Sequence, residues 1–140
     1  MKEVVHILTH LGISPTPQRV QIAAVLLAKP QHLSADQVLH VVNQTSNLVS
    51  KATVYNTLGL FARKGVVREV IVDPNKVVYD SNTGHHHHFY NVVTCELTDV
   101  ELAHLDIANL PLPPPGTTCE GIDVIVRVRP IENAKKPNSD

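Results

Sequence analysis

Apolar residues recur at helical spacing in the first part of the chain. The first such segment is residues 2–11, which Gly12 ends. A second helix is expected to begin at Pro17, because Thr16 can cap it and the first helical position needs no N–H. Pro30 ends this second segment. Local signals alone therefore predict both helices.

Two further helices follow at once. Residues 34–37, Ser-Ala-Asp-Gln, form a capping box, which predicts a third helix over residues 35–43. The polar stretch 44–47 predicts a turn. Ser50 is the expected N-cap of a fourth helix, which closes with Gly65 as its C′ residue.

Two β-branched runs, residues 66–72 and 76–79, are separated by Asp-Pro-Asn and predict a β-hairpin. Helices followed by a two-stranded ribbon, with a last helix rich in small polar residues, are the order of a winged helix-turn-helix. Such a domain lays its last helix in the major groove of DNA. We assign this domain to residues 1–80.

The second half predicts a smaller domain over residues 81–130. Residues 89–93 and 122–128 are typical of strands, and a helical stripe lies between them at residues 100–110. A piece of this size buries too little apolar surface to be stable alone, so we expect it to pair with its own copy. The predicted fold class is α+β, an N-terminal winged helix followed by a small α/β dimerisation domain, with a flexible tail over 131–140.

Composition narrows the class of protein. The chain has 140 residues, of which 43% are apolar, and no apolar run approaches the roughly 18 residues that span a bilayer. The first residues lack a signal-peptide pattern. The two cysteines, Cys95 and Cys119, are too few for a disulfide framework or a four-cysteine zinc site. We expect a reduced, cytoplasmic protein without a membrane partner.

Charge is divided between the two halves. Residues 1–72 carry seven Lys or Arg and three Asp or Glu, whereas residues 73–140 carry five and ten. A basic half suits phosphates and an acidic half suits cations.

The start of the fourth helix carries candidate DNA contacts. Lys51 and the helix N-terminus suit phosphate, Asn56 can pair with adenine, and Tyr55 or Thr53 can touch a thymine methyl. The alternative is that these polar side chains simply form a solvent-exposed face of the helix. The full candidate DNA-binding set is Arg19, Ser50, Lys51, Thr53, Tyr55 and Asn56.

Nine histidines are the second unusual feature, and four are consecutive. On a strand, His86 and His88 project from one face and can grip one cation. Asp80 lies upstream, Asp99 downstream, and His32 at the entrance of the third helix. These imidazoles and carboxylates suit Fe²⁺, Mn²⁺ or Zn²⁺, with no thiolate to favour zinc.

Other interpretations of the same residues stay open. His85 and His87 face the opposite way and, with His104 and Asp106, could form a second, weaker metal site or none. The histidine run could be solvent-exposed without metal, or an expression remnant. Asp99 could lie in the first turn of a capped helix, and His32 could be a packed or capping residue.

The ordered segments together resemble the ferric uptake regulator (Fur) family over about residues 3–130. The resemblance implies a homodimeric, metal-dependent regulator that binds an inverted repeat in double-stranded DNA. The matching segments are residues 16–19 (Thr-Pro-Gln-Arg), 32–36 (His-Leu-Ser-Ala-Asp), 52–58 (Ala-Thr-Val-Tyr-Asn-Thr-Leu), 65–68 (Gly-Val-Val-Arg), 78–80 (Val-Tyr-Asp) and 85–88 (His-His-His-His).

The family's regulatory metal site maps, by this resemblance, onto the same five residues that chemical type selects: His32, Asp80, His86, His88 and Asp99. The implied metal is Fe²⁺ or Mn²⁺, with Zn²⁺ able to bind in vitro.

The family's DNA contacts map onto Tyr55 and its neighbours, with Asn56 where iron-sensing members often carry Arg.

The chain departs from the family in its cysteines. Asn91 and Thr94 stand where the first Cys pair of the structural zinc belongs, and Cys95 is one position out of register. We therefore expect no structural zinc. In lacking these cysteines, and in residues 109–116 and 123–127, the chain is similar to the Irr branch. It departs from that branch in one respect, since both cysteines precede Glu and the Cys-Pro haem motif is absent.

The metal set itself is similar to that of peroxide-sensing PerR, because both carboxylates, Asp80 and Asp99, are Asp rather than Glu. His32 and His86 match the positions oxidised in that branch. The resulting prediction is a non-enzymatic transcriptional repressor that senses peroxide through oxidation of a His ligand. The alternatives are an Irr-like regulator of iron or haem status, a metal-buffering protein that does not bind DNA, and a metalloenzyme.

Overall fold

The computed structural model describes residues 1–45, 49–84, 86–100 and 106–132. The chain divides into two compact units, residues 1–84 and residues 85–140. None of the helices in the described ranges combines the length and the apolar composition of a membrane span.

The described residues of the first unit form four helices and a three-stranded antiparallel sheet of order β1-β3-β2. Its elements are α1 (Lys2–His10), α2 (Pro17–Leu27), β1 (His32–Ser34), α3 (Ala35–Thr45), α4 (Lys51–Lys64), β2 (Arg68–Asp73) and β3 (Lys76–Asp80).

Local capping begins α2 and α4 as predicted. Thr16 Oγ1 accepts a hydrogen bond from the Arg19 N–H at 3.4 Å, and Pro17 occupies the first turn of α2. Ser50 Oγ accepts one from the Thr53 N–H at 3.1 Å. These bonds satisfy N–H groups that have no partner within their own helix.

The predicted capping box at the start of α3 is also confirmed. The Gln37 N–H donates to Ser34 Oγ at 3.2 Å, and the Ser34 N–H donates to Gln37 Oε1 at 2.8 Å. At the other end of the helical region, Gly65 has φ +83° and ends α4 in the left-handed conformation, which glycine adopts without strain.

The hairpin forms between β2 and β3, but its first strand begins at Arg68 rather than at residue 66. Val66 and Val67 are instead buried in the core of the unit. Strand β1 has no sequence pattern that predicts it, because three residues are too few to show strand periodicity. This strand exists through its pairing with β3, in which His32 lies opposite Asp80.

Each of α1 to α4 contributes buried apolar side chains to the core of the first unit. Buried apolar side chains from α1, α2, α3 and α4 form one cluster with residues of the loops and β3. The largest fully buried ones are Leu8, Ile22, Leu26, Val38, Val42, Val54, Leu58, Phe61 and Val67. Because α4 buries Val54, Leu58 and Phe61 on one face, its opposite face carries Tyr55 and Asn56 into solvent.

The second unit contains a three-stranded sheet of order β5-β4-β6. Its strands are β4 (His87–Asn91), β5 (Leu97–Val100) and β6 (Ile125–Val128), with β4 antiparallel to β5 and parallel to β6. Strand β4 ends earlier than predicted because Asn91 begins a turn, and its Oδ1 accepts the Val93 and Thr94 N–H groups.

The helix predicted over residues 100–110 is not found in the described residues. Val100 ends β5 and residues 106–110 form no helix, while residues 101–105 lie outside the described residues. Asp99 therefore lies on a strand, paired with β4, and its interpretation as a first-turn helix residue was wrong. The turn predicted over residues 44–47 is wrong for residues 44 and 45, which belong to α3, and residues 46–47 lie outside the described residues. The predicted flexible tail lies outside them beyond residue 132.

Candidate metal centre

The first unit brings together one imidazole and one carboxylate. His32 and Asp80 are opposite residues of β1 and β3, and the distance from His32 Nε2 to Asp80 Oδ2 is 3.2 Å. Pairing continues beyond the strands, since the Gln31 N–H donates to Ser81 Oγ at 3.1 Å and the Ser81 N–H donates to the Gln31 carbonyl at 3.3 Å. The carboxylate of Asp80 is buried, and its Oδ1 accepts the Asn82 N–H at 2.9 Å.

The second unit brings together two imidazoles and one carboxylate. His88 lies opposite Asp99 on β4 and β5, and His86 precedes β4 by one residue. Asp99 Oδ1 is 3.4 Å from His86 Nε2 and 3.3 Å from His88 Nε2, and the two imidazole ring centroids are 4.6 Å apart. Both histidines are buried, whereas 46% of the Asp99 side chain is exposed.

Both groups have the spacing of metal ligands. Transition metals bind imidazole nitrogen and carboxylate oxygen at about 2.0–2.2 Å, so neighbouring ligand atoms in one coordination shell lie about 3 Å apart. Two histidines and one carboxylate are also the ligand type of non-haem Fe²⁺ sites with open positions. The residues therefore fit a divalent transition metal bound through nitrogen and oxygen.

His87, between the two histidines of this group, makes a structural contact. Its Nδ1 accepts the Val124 N–H at 3.0 Å, which joins β4 to the segment before β6. Acceptance at Nδ1 places any ring proton of the neutral form on Nε2. Of the other residues considered for a second metal site, Asp106 is exposed, and His85 and His104 lie outside the described residues.

The candidate DNA-binding residues occupy the start of α4 and the start of α2. Ser50 and Thr53 bond to each other through their side chains, with an Oγ–Oγ1 distance of 2.9 Å. Arg19 is exposed, and its Nη1 donates to the Ser14 carbonyl at 3.0 Å. Asn56 is exposed one position beyond Tyr55.

The carboxylate of Asp36, which is not in the predicted DNA-binding set, lies among these residues. The Tyr55 hydroxyl donates to Asp36 Oδ1 at 3.2 Å, and Lys51 Nζ lies 4.0 Å from the same oxygen. In the sequence, Asp36 is explained by its place in the first turn of α3. No local signal joins it to a residue 19 positions away.

Tyr79 lies near this polar group on β3. Burial raises the pKa of its hydroxyl above the ordinary 10.0, and the negative charge of Glu69 and an interaction with Tyr55 raise it further. Glu69 is its opposite residue on β2. Tyr79 is therefore neutral at physiological pH.

The sequence profile of the ferric uptake regulator family matches residues 10–110. The chain belongs to this family, whose members are transcriptional regulators rather than enzymes. The predicted family resemblance is confirmed.

Two curated relatives are peroxide-responsive repressors named PerR. The protein from Staphylococcus epidermidis is 28% identical over 106 residues, which cover 76% of this chain and 71% of that protein. The protein from Staphylococcus aureus strain Mu50 is 31% identical over 96 residues. That match covers 69% of this chain and 62% of the relative, less than two thirds of its length.

Solved structures confirm the fold class. The ferric uptake regulator from Pseudomonas aeruginosa with manganese has a TM-score of 0.67 and 23% identity, covering 89% of this chain and 96% of that one. The Vibrio cholerae ferric uptake regulator has a TM-score of 0.67 and 19% identity, with 89% and 98% covered. The fold is thus an N-terminal winged helix followed by a smaller domain.

Proposed function

We propose that this protein is a metal-dependent DNA-binding repressor that responds to peroxide. The observation that carries the proposal is that the Nε2 atoms of His86 and His88 both lie 3.3–3.4 Å from Asp99 Oδ1, in a member of a family of transcriptional regulators. Fe²⁺ or Mn²⁺ is the proposed metal, because the donors are nitrogen and oxygen without thiolate.

We infer that one ion takes ligands from both groups of the candidate site. The five donor residues are His32, Asp80, His86, His88 and Asp99. Neither group alone supplies the five or six donors that Fe²⁺ and Mn²⁺ commonly accept. Only five residues separate Asp80 from His86, so the chain holds the two groups within about 20 Å even when fully extended.

Shared ligation would couple metal binding to DNA binding. The winged helix of residues 1–84 holds His32 and Asp80, and the second unit holds the other three ligands. An ion bound by all five restricts the angle between the units and so favours the arrangement that binds DNA. It needs only to bind that arrangement more tightly than the others.

The proposed DNA target is an inverted repeat bound by a homodimer. A two-fold dimer places two copies of α4 in half-sites about 10–10.5 base pairs apart, or a multiple of that spacing. The second unit supports pairing, since Phe89, Val126 and Val128 leave more than a third of their surface exposed on its small sheet. Such an apolar surface is typical of an interface between copies.

Peroxide sensing is supported by the two PerR relatives and by the donor set. When bound, Fe²⁺ supplies the one-electron chemistry that lets peroxide oxidise a neighbouring side chain. His32 and His86 are the proposed targets, because they match the positions oxidised in the PerR branch, and each has its Nε2 beside a carboxylate of the site. An oxidised imidazole is a poorer metal donor, so the site loses affinity and the two units lose their connection.

Mass spectrometry of the Fe²⁺-loaded protein before and after dilute peroxide tests this proposal. We expect one added oxygen atom on a peptide that contains His32 or His86, together with loss of binding to the inverted repeat. The Mn²⁺-loaded protein is the control and should keep both its mass and its DNA affinity. Unchanged peptides with iron would exclude peroxide sensing through these ligands.

DNA binding is tested separately with Lys51→Ala and Tyr55→Ala. A repressor should lose affinity for the inverted repeat in both variants while it keeps its affinity for Mn²⁺. Wild-type protein that binds Mn²⁺ but no DNA at any metal concentration would instead identify a metal-buffering protein.

A further inference from the structure

Asp36 lies where a carboxylate is unfavourable for a DNA-binding surface. It occupies the first turn of α3, beside the first two turns of α4. Since DNA phosphates are negative, a carboxylate on this face repels the proposed ligand. Because the Asp36 carboxylate weakens DNA binding in this way, we expect Asp36 to make a contact whose role is to favour DNA recognition.

The contacts of Asp36 show what this role is. Its Oδ1 accepts the Tyr55 hydroxyl at 3.2 Å and lies 4.0 Å from Lys51 Nζ. Lys51 Nζ is also 5.6 Å from the centroid of the Tyr55 ring, within the range of a cation–π interaction. The three side chains thus restrain one another, and the tyrosine ring is held between a cation and a carboxylate.

The backbone that carries Asp36 is itself well restrained. The reciprocal bonds between Ser34 and Gln37 enclose its position, and Ser34 is paired with Val78 in the sheet. The acceptor oxygen is therefore presented from a defined position, whereas an exposed tyrosine without such a partner samples several rotamers.

The orientation of Tyr55 decides which part of it can meet a base. Because its hydroxyl hydrogen is donated to Asp36, the ring edge rather than a donor remains for the DNA. A ring edge suits apolar contact with the methyl group of thymine in the major groove.

We propose that Asp36 is a specificity-determining positioning residue, which holds Tyr55 in the orientation that distinguishes the operator from other DNA. This inference rests on the proposed DNA-binding function. Asp36 acts through Tyr55 and touches no base itself. Its charge, in contrast, weakens binding to all DNA alike.

Two substitutions of Asp36 distinguish the effect of its hydrogen-bond acceptor oxygen from the effect of its negative charge. Asp36→Asn keeps an oxygen that accepts the Tyr55 hydroxyl, whereas Asp36→Ala removes it. With Mn²⁺-loaded full-length protein, we expect Asp36→Ala to lower the ratio of operator to random-DNA affinity by about fivefold to a hundredfold, the range for one mismatched base pair. Asp36→Asn should keep this ratio near the wild-type value. It should also steepen the slope of log K against log salt concentration by up to about 0.9.

Tyr55→Phe is the partner variant, because it keeps the ring and removes only the donor. It should lose as much discrimination as Asp36→Ala, and the double variant should lose no more than either single one. Glu3→Ala, which removes an exposed carboxylate from α1, is the control for charge and should leave the ratio unchanged.

The possible results distinguish failure of the positioning role of Asp36 from failure of the proposed DNA-binding function. Wild-type protein that binds no DNA would overturn both. An operator-binding wild type whose Asp36→Ala variant keeps its discrimination would overturn the positioning role alone. So would an Asp36→Asn variant that loses as much discrimination as Asp36→Ala, since the acceptor oxygen would then not be the cause.

Discussion

His88 and Asp99 lie opposite each other on β4 and β5, and the distance from His88 Nε2 to Asp99 Oδ1 is 3.3 Å. The register of this strand pair therefore determines the ligand set of the second unit. A slip of one residue would turn Asp99 to the other face of the sheet and leave His86 and His88 without their carboxylate.

Replacing Asp99 by Ala should remove one donor from the metal site. We expect the affinity for Mn²⁺, measured by calorimetry, to fall by about 100-fold or more, since even residues that only orient ligands contribute 10- to 100-fold. Glu96→Ala is the matched control, because Glu96 is an exposed carboxylate just before β5. Full affinity in Asp99→Ala would remove Asp99 from the site.

Variants at His32 and His86 test whether one ion joins the two groups. If the site is shared, the wild type binds one Mn²⁺ per chain at high affinity, and His32→Ala and His86→Ala weaken that same step. His40→Ala, at an exposed histidine of α3, is the control and should bind as the wild type does. Two binding steps, each lost in only one variant, would contradict shared ligation.

Metal should also stabilise the protein against unfolding. Mn²⁺ at 100 times its dissociation constant is expected to add about 2.7 kcal/mol to the free energy of unfolding, because it binds the folded state. Thermal unfolding with and without Mn²⁺ measures this. Asp99→Ala should show a much smaller gain at the same concentration, and an equal gain would indicate binding elsewhere.

Ser50→Ala should weaken the start of α4. The Thr53 N–H would lose its acceptor, and the free energy of unfolding in urea should fall by about 1 kcal/mol. Ser50→Thr keeps the capping oxygen and should retain most of the stability. A neutral Ser50→Ala would mean that water replaces the cap without loss.

The raised pKa of Tyr79 leads us to expect a loss of stability in alkaline solution. Burial, Glu69 and Tyr55 raise its pKa in the folded protein above 10.0, so the unfolded chain ionises first. The contribution of Tyr79 is complete below that ordinary value and declines as the pH rises through it toward the folded pKa. Urea unfolding across this range should show a shallower decline for Tyr79→Phe, with Tyr90→Phe as the control. Equal slopes in wild type and Tyr79→Phe would contradict the assignment.

Much of the first unit was predictable because its signals are local. Thr16, Ser50 and Gly65 mark helix ends by bonds to residues within a few positions, and the capping box at Ser34 acts over three. The second unit was less predictable. Its helical stripe at residues 100–110 did not show that Val100 pairs with His87, a contact made by a separate strand.

Sequence patterns alone predicted where α2, α3 and α4 begin, where α4 ends, that a hairpin follows, and which residue types are available to bind a metal. Each of these depends on neighbours in the chain or on side-chain chemistry. The tertiary fold determined which of these side chains meet. It set His32 against Asp80, and His86 and His88 against Asp99, through strand pairing. It also brought Asp36 to Tyr55, because the packing of α3 on α4 joins positions that no short-range pattern connects.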